Sequence, residues 1–559
     1  MEEGKNVCSS RLSGNSVALK AGEGARNNTE EHGWLRLIRA ELTPPSLSDN
    51  TADADRLIKE LKKKLGTEYV AADLSLLRTV SATLRKSDYN VRVACFEDRG
   101  IWKMIHVFTQ DDPAGIYGIA LDLGSTTLVL QLVNLMDGSI LDEVSFHNPQ
   151  IRIGSDILTR IHYATARGGL AELQEMVNEQ INKTIEQITQ KHALKTESIV
   201  AMSVAGNTTM THFFLGLDPY GICREPYIPV TNRPDLIPAA ELGLAIHPAA
   251  PVLVFPNVGS YFGGDLIAGI LSSGITHQEE VCFLVDVGTN AEVVIGNRDW
   301  LMACAGAAGP ALEGGVADMG MMAGPDVIDK VRIEPETGAF QISTIQGGVE
   351  HHPARPGKPV GICGSGLIDL AAQLFLAGMI DLRGKFEPGK CGDRMIDVDG
   401  IKHLVVVAAE ESGTGEPLTL SQPDLDGLVR SKAAMYTILT TIANTVNIPL
   451  SEIKRFYVAG TFGSYINPES AITIGMIPDL PLDVYASLGN TSLKGACMAL
   501  LNKEAKEEIT RIRDQITYLE LNVNQEFMNL FSAAKFIPHT DRSLFPSVRR
   551  CADTEAHGA

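Results

Sequence analysis

Two short stretches of this 559-residue chain hold residues whose types and spacing suit phosphate and magnesium chemistry. The first is Ile119-Ala120-Leu121-Asp122-Leu123-Gly124-Ser125-Thr126-Thr127, and the second is Phe283-Leu284-Val285-Asp286-Val287-Gly288-Thr289-Asn290. Each reads as an apolar strand with an Asp at its end, a Gly turn, hydroxyl or amide residues, then a second strand (Leu128-Val129-Leu130 and Glu292-Val293-Val294-Ile295). Backbone N–H groups at a Gly turn can face an anion, because no Cβ blocks the approach. Ser125, Thr126, Thr127, Thr289 and Asn290 add side-chain donors. Asp122 and Asp286 supply hard oxygens suited to Mg²⁺, directly or through water. One such hairpin is a weak signal; two in one chain predict a pair of phosphate grips with carboxylates facing a shared cleft. The plainer alternative is two ordinary hairpins, each with an Asp at a buried edge.

The elements that must position these residues follow from the chain on either side. Residues 1–33 are rich in Ser, Gly, Asn and Glu and are expected to form a disordered tail. A small α/β unit over 34–112 contains two helices, Thr51–Leu65 with an apolar face at Ala54, Leu57, Ile58, Leu61 and Leu65, and Leu74–Leu84. Strands at Asn90–Phe96 and Ile101–Phe108 complete it, and Asp111-Asp112-Pro113-Ala114-Gly115 leads out. A first lobe is expected over 115–275, a second over 278–540, and a polar tail over 541–559.

Within the first lobe, Asp156 or Ser155 caps a helix carrying Arg160, with a further role for Asp156 at the cleft left open. Strand Ser198–Val204 runs into Gly206-Asn207-Thr208-Thr209, an element crossing between lobes; His212 beyond it reads as a core histidine. Phe255 to Asp265 is another strand–loop–helix entry, in which Asp265 either reaches the cleft or only accompanies close helix packing. In the second lobe, Gly361 to Asp369 and Gly460-Thr461-Phe462-Gly463 are small-residue turns after strands. Leu488 to Ala496 is expected to open the closing helix of that lobe. His351-His352 lies in a Pro- and Gly-rich stretch and reads as a solvated loop.

Composition sets the outer limits. With 44% hydrophobic and 21% charged residues the chain is an ordinary globular protein of several cores. A net charge of −20 argues against nucleic acid or an anionic membrane as its main partner. No apolar run approaches the roughly 20 residues of a spanning helix, and no signal peptide follows Met1, so cytoplasmic localisation is expected. Nine cysteines, at 8, 95, 223, 282, 304, 363, 391, 497 and 551, form no Cys-x-x-Cys pair and no cluster of four. A disulfide framework or a sequence-local iron–sulfur site is not expected from that spacing.

The paired hairpins resemble the phosphate loops of the superfamily (ASKHA) that holds acetate and sugar kinases, heat-shock chaperone ATPases and actin. That resemblance implies an α/β fold of two lobes, a duplicated RNase H-like unit, here preceded by the small α/β domain. It sharpens in ten strings that occur in order from Leu121 to Asp541. They are LDLGSTT, NPQIRIGSDILTRI, SVAGNTTMTHFFLG, PNVGSYFGGDLIAGIL, LVDVGTNAEVVIG, GPALEGG, GICGSGLIDL, YVAGTFGSYI, ASLGNTSLKGA and NVNQEFMNLFSAAKFIPHTD. The chain is identified by them as similar to the reductive activators of corrinoid enzymes (RACo). The resemblance implies ATP-driven reduction of a corrinoid protein's Co(II) to Co(I), with ATP and Mg²⁺ as cofactors and a corrinoid protein or corrinoid-dependent methyltransferase as partner. It also implies a homodimer.

One departure stands out. The family's N-terminal ferredoxin-like domain carries four clustered cysteines for a two-iron two-sulfur centre, whereas only Cys8 precedes Cys95 here. No iron–sulfur cluster is therefore expected in this chain, and a separate low-potential electron donor is. Carried over by the resemblance, Asp122 and Asp286 hold Mg²⁺ and position water. Gly124, Ser125, Thr126 and Thr127, with Gly288, Thr289 and Asn290, hold phosphates, and Gly460, Thr461, Phe462 and Gly463 hold the adenosine. The rival readings are a small-molecule kinase of the same superfamily, an activator ATPase for another redox enzyme and a non-catalytic partner. Among the redox activators is a cluster-bearing kind that would use two cysteines such as Cys304 and Cys363.

Overall fold

The computed structural model describes residues 33–112, 115–288, 291–306, 317–334, 337–345, 357–460, 466–521 and 525–549. Two six-stranded sheets dominate it, and they are built alike. In the first, β5 (Tyr117–Leu123), β6 (Thr127–Asn134) and β7 (Ile140–His147) form an antiparallel meander. β8 (Ile199–Gly206) then lies parallel to β5, and β10 (Pro251–Val254) parallel to β8, with β9 (Ile237–Pro238) at the edge. In the second, β11 (Cys282–Val287), β12 (Ala291–Gly296) and β13 (Leu301–Gly306) repeat the meander. After the strands β14 (Val327–Ile333), β15 (Phe340–Thr344), β16 (Gly361–Ile362), β17 (Met395–Val398), β18 (Ile401–Val407) and β19 (Leu418–Ser421) of two three-stranded sheets, β20 (Arg455–Ala459) is parallel to β11 and β21 (Tyr485–Gly489) parallel to β20, with β22 (Ile516–Tyr518) closing the far edge. This is the duplicated α/β unit, in two lobes, that the sequence resemblance predicts.

The central strands are apolar almost throughout because helices cover both faces of each sheet. In β5 only Tyr117 and Asp122 are not fully buried, and in β11 only Asp286. On the outer face of the first sheet lies the helix Gly169–Lys191, whose Leu173, Val177, Ile181, Ile185 and Ile188 recur at helical spacing into the core. The helix Gln422–Thr445 belongs to the second lobe's core. It begins at a capping box in which the Ser421 hydroxyl accepts from Asp424 N at 3.2 Å and Asp424 Oδ2 accepts from Ser421 N at 3.0 Å.

Between the two sheets run the helices Gly264–Ser273 and Thr491–Leu501, each entered from the end of a parallel strand. The second of these follows directly from β21 of the second sheet, where Leu488–Ala496 is expected to open that lobe's closing helix, and it reaches the first sheet as well. Thr491–Leu501 packs on the Gly264–Ser273 helix and on β5 and β8 of the first sheet. Its small residues explain why: a Cβ on Gly495 would lie 2.3 Å from the Ala268 carbonyl oxygen, so the two helix backbones touch.

The small N-terminal sheet, in order β1 (Leu35–Glu41), β3 (Asn90–Asp98), β4 (Ile101–Phe108) and β2 (Val70–Ala71), carries the helices Asp53–Leu65 and Leu74–Lys86 over one core. It is tied to the rest through Trp34, wholly buried, whose indole N–H donates to Ala499 O at 2.8 Å, and through the Lys503–Glu97 ion pair at 2.9 Å. Residues 541–549, expected as the start of a polar tail, are docked instead. Phe545 and Val548 are buried, and Ser547 donates from N and Oγ to Asp479, both at 2.8 Å. Among the described residues no helix is long and apolar enough to cross a membrane.

Candidate functional site

Each half of the fold places an Asp at the same point. Asp122, one residue from the end of β5, sits in register with Ala205 of β8; Asp286, one from the end of β11, sits in register with Ala459 of β20. Both neighbours are followed by a Gly, in the strings Val204-Ala205-Gly206-Asn207 and Val458-Ala459-Gly460-Thr461. Those glycines let the neighbouring chain come close. A Cβ on Gly206 would lie 2.9 Å from the Leu123 carbonyl oxygen. Gly460 has φ +82°, and a Cβ there would lie 3.0 Å from Asp286 Oδ1. The repeated Val-Ala-Gly is a second internal duplication, legible in the sequence and missed by the reading of the hairpins alone.

Asp122 is held across the lobes. Its Oδ2 accepts from Asn490 Nδ2 and its Oδ1 from Ser492 Oγ, both at 2.8 Å. Asn490 is also the cap of its own helix, accepting from Leu493 N at 2.8 Å. Burial pushes the Asp122 carboxyl's pKa up, and these two donors pull it back. Neither Asn490 nor Ser492 was expected as a site residue; the capping pattern Gly489-Asn490-Thr491-Ser492 predicts a helix start but not what faces it.

A third carboxylate joins the pair. Asp265, in the first turn of Gly264–Ser273, has its pKa pushed up to about 7, first by burial and then by the negative charges of Asp286 and Asp122. A Cβ on Gly263 would lie 2.5 Å from Asn207 Cα and 2.6 Å from Asp265 Oδ1, so the two strand–helix entries of the first lobe meet beside this carboxylate. Asp265 is thus buried close enough to Asp286 and Asp122 to feel both charges. Asp156 by contrast is a helix cap, accepting from Thr159 N at 2.9 Å and Thr159 Oγ1 at 2.6 Å.

Three hard carboxylates that repel one another suit a divalent cation, which would remove the repulsion. Among the described residues no three His, Cys, Asp or Glu side chains close into a cage by themselves. Mg²⁺ fits that arrangement, since it keeps water and takes phosphate oxygens alongside one or two carboxylates. Because Asp265 keeps a proton in the fold that the unfolded chain has lost, its contribution to stability is complete below pH 3.8 and is lost as pH rises through about 7. Asp265→Asn is therefore expected to raise the melting temperature of the nucleotide-free protein at about pH 8 by about 2–4 °C. The same substitution should flatten its decline between pH 3.8 and about 7. Parallel melting curves of the two proteins across that range check this, and identical curves would remove the repulsion from the account.

Gly124 is locked in its turn, where a Cβ would lie 2.3 Å from the Thr127 carbonyl oxygen. Ser125, Thr126 and Thr127 follow it, and Thr127 Oγ1 is buried with no partner among the described residues. Gly288 follows the end of β11, as Gly124 follows the end of β5. Thr289, Asn290, Thr461, Phe462 and Gly463 lie outside the described residues, as do His351-His352 and the string GPALEGG. His212 is a core histidine as expected: its Nδ1 donates to Thr208 O at 2.7 Å and its Nε2 accepts from Val230 N at 3.1 Å. Cys304 is wholly buried within β13, with its thiol pushed well up by desolvation, and Cys363 is 3% exposed and bonded to Ile328 O and Ser365 Oγ. Neither presents a sulfur at the surface for a cluster shared between subunits.

Comparison with known proteins gives consistent matches along the chain. Residues 32–112 match the RACo linker region, 117–278 the RACo middle region, and 280–549 the C-terminal ASKHA domain of RACo. The corrinoid activation enzyme RamQ of Eubacterium limosum is 30% identical over 491 residues, covering 86% of this chain and 79% of the relative. The [Co(II) methylated amine-specific corrinoid protein] reductase of Methanosarcina barkeri is 24% identical over 440 residues, covering 74% of this chain and 76% of that protein. Among solved structures, a reductive activator for corrinoid, iron–sulfur protein superposes with a TM-score of 0.83 at 37% identity, over 92% of this chain and 81% of that one.

Proposed function

The chain belongs to the RACo family, and on that premise we propose that it is an ATP-dependent reductive activator of a corrinoid protein. The observation that carries the reading is the convergence of Asp122, Asp265 and Asp286, with Asp265 raised to about 7 first by burial and then by the charges of Asp286 and Asp122. Such a site has little to hold unless a cation and phosphates enter it. Bound Mg²⁺ would supply charge neutralisation at the phosphates and orient the attacking water.

The chain's own residues do the rest. Asp122 and Asp286 hold the cation and align water, with Asn490 and Ser492 keeping Asp122 in place. Gly124, Ser125, Thr126 and Thr127, together with Gly288, Thr289 and Asn290, take the phosphates from opposite lobes. Gly460 to Gly463 take the adenosine. Because Asp122 is gripped by residues 490 and 492, closure of the lobes around nucleotide moves both grips together, which makes the cleft a two-state element.

Reduction itself takes one electron. A separate low-potential one-electron donor is oxidised, Co(II) of the partner becomes Co(I), and ATP and water become ADP and phosphate without giving an electron. The uphill transfer is driven by binding: a protein that holds the Co(II) partner differently in its ATP and ADP states shifts the cobalt equilibrium by that difference. The chain acts as a homodimer in this reading, with residues 34–112 as the small domain at the contact and 115–275 and 278–540 as the lobes.

The test is ATPase activity with and without a Co(II) corrinoid methyltransferase subunit, followed together with the Co(II) to Co(I) spectral change under an external low-potential reductant. Hydrolysis stimulated by the corrinoid protein, and Co(I) only when ATP is present, are expected. Turnover indifferent to corrinoid protein would move the reading to a kinase or to another redox target. Absence of nucleotide binding would overturn it.

A further inference from the structure

The first phosphate turn is held from behind. Asn148 Nδ2 donates to Gly124 O at 3.0 Å, Arg160 Nη1 donates to Ser125 O at 2.7 Å, and Asn148 N donates to Thr126 O at 2.8 Å. Three successive carbonyls are thus taken by two residues. The two donating side chains lie together, since Asn148 Nδ2 is 3.5 Å and Arg160 Nη1 3.7 Å from the same Met210 sulfur. In a trans peptide the N–H points opposite the preceding C=O. Fixing the carbonyls of 124, 125 and 126 toward Asn148 and Arg160 therefore turns the N–H groups of Ser125, Thr126 and Thr127 the other way.

Arg160 is also an unusual charge. It is 0% exposed and its remaining contacts are neutral: Nε donates to Gly154 O at 2.8 Å and Nη1 reaches Gln150 Oε1 at 3.5 Å. Nη2 is buried without a partner among the described residues. Its nearest helical carboxylate, Asp156, is spent on Thr159 as a cap. A buried guanidinium without a carboxylate is costly unless an anion comes near it. Asn148 is fixed in turn, accepting from Gln150 N at 3.0 Å and 1% exposed.

We propose that Asn148 and Arg160 are positioning residues for phosphate: they aim the N–H groups of the Gly124–Thr127 turn outward, and the Arg160 guanidinium supplies the fixed positive charge behind it. This rests on the nucleotide reading given above and adds to it the two residues that hold the first phosphate turn from behind.

The experiment is calorimetric binding of ATP, ADP and AMP, with Mg²⁺, to the full chain and to Arg160→Gln, Arg160→Lys and Asn148→Ala. Arg160→Gln is expected to weaken ATP and ADP about 30-fold and AMP less than about threefold, while Arg160→Lys keeps ATP within about fivefold. Asn148→Ala should lose part of the preference for ATP over AMP with the charge intact. Equal weakening of all three nucleotides, or unchanged ATP binding, overturns the proposal. Should Arg160→Gln fail to fold, hydrogen exchange in the wild-type protein decides: inorganic tripolyphosphate should slow exchange at residues 125–127, and no slowing overturns it. Wild-type protein that binds tripolyphosphate but not ATP overturns the nucleotide reading and sustains this one; binding of neither overturns both.

Discussion

Asp286→Asn is expected to lower corrinoid-stimulated ATP turnover by about 10²–10³-fold while the protein still folds. Asp286 ends the central strand of the second sheet, beside the left-handed Gly460 that lets the next turn approach it. An amide of the same shape keeps that packing but removes the charge that the proposed cation binding and water alignment would use. It also removes the larger of the two charges that raise Asp265, so the nucleotide-free variant should melt at or above the wild-type temperature near neutral pH. Phosphate release at saturating ATP and Mg²⁺, with ATP affinity measured separately, checks this. Turnover within about threefold of wild type would take Asp286 out of the chemistry. Asp122→Asn should show the same loss with added instability, because Asn490 Nδ2 would then lose its charged acceptor and could face another N–H.

The second large effect is structural and acts at a distance from the phosphates. Gly495→Val is expected to destabilise the protein by about 3 kcal/mol or more and to separate the lobes. At this position a Cβ would meet the Ala268 carbonyl oxygen at 2.3 Å, its carbon at 2.6 Å and Cα at 2.7 Å, all backbone atoms that cannot swing aside. The opposing Gly269 faces Thr491 less tightly, with its side-chain Oγ1 3.1 Å from a Cβ. Since the same helix begins with the two residues that grip Asp122, a forced separation should also weaken nucleotide binding. Chemical denaturation and nucleotide titration of Gly495→Ala and Gly495→Val should show both losses growing with side-chain size. A valine variant as stable as wild type would mean the helices slide past one another freely.

Much of the architecture was legible because it depends on local pattern. The hairpins around Asp122 and Asp286 have alternating or fully apolar strands flanking a Gly turn, and such strands come out where they are expected. Asp156 as a cap and the helix after Ser421 also follow from residue types within one turn of the helix. Where the reading stopped short, the deciding partner was far away in the chain. The helix Thr491–Leu501 looks, by position, like the end of the second lobe. Only the close approach of Gly495 to Ala268 shows that it also packs against the first lobe. Residues 541–549 are polar enough to read as a tail, yet Phe545 and Val548 find a core that sequence order does not show.

The sequence by itself determined that this chain has two duplicated Asp–Gly hairpins, the duplicated fold they belong to, and membership in one family. Each of those rests on short-range order or on strings of residues that can be compared directly. The tertiary structure decided how the two carboxylates become a site. Asp265 comes to share its charge with Asp122 and Asp286, Asn490 and Ser492 reach back some 370 positions to hold Asp122, and Asn148 with Arg160 orient the first turn. Hydrogen bonds and Coulomb forces act over a few ångströms of space. Their partners are therefore set by how strand ends and helix starts are brought together, and not by distance along the chain.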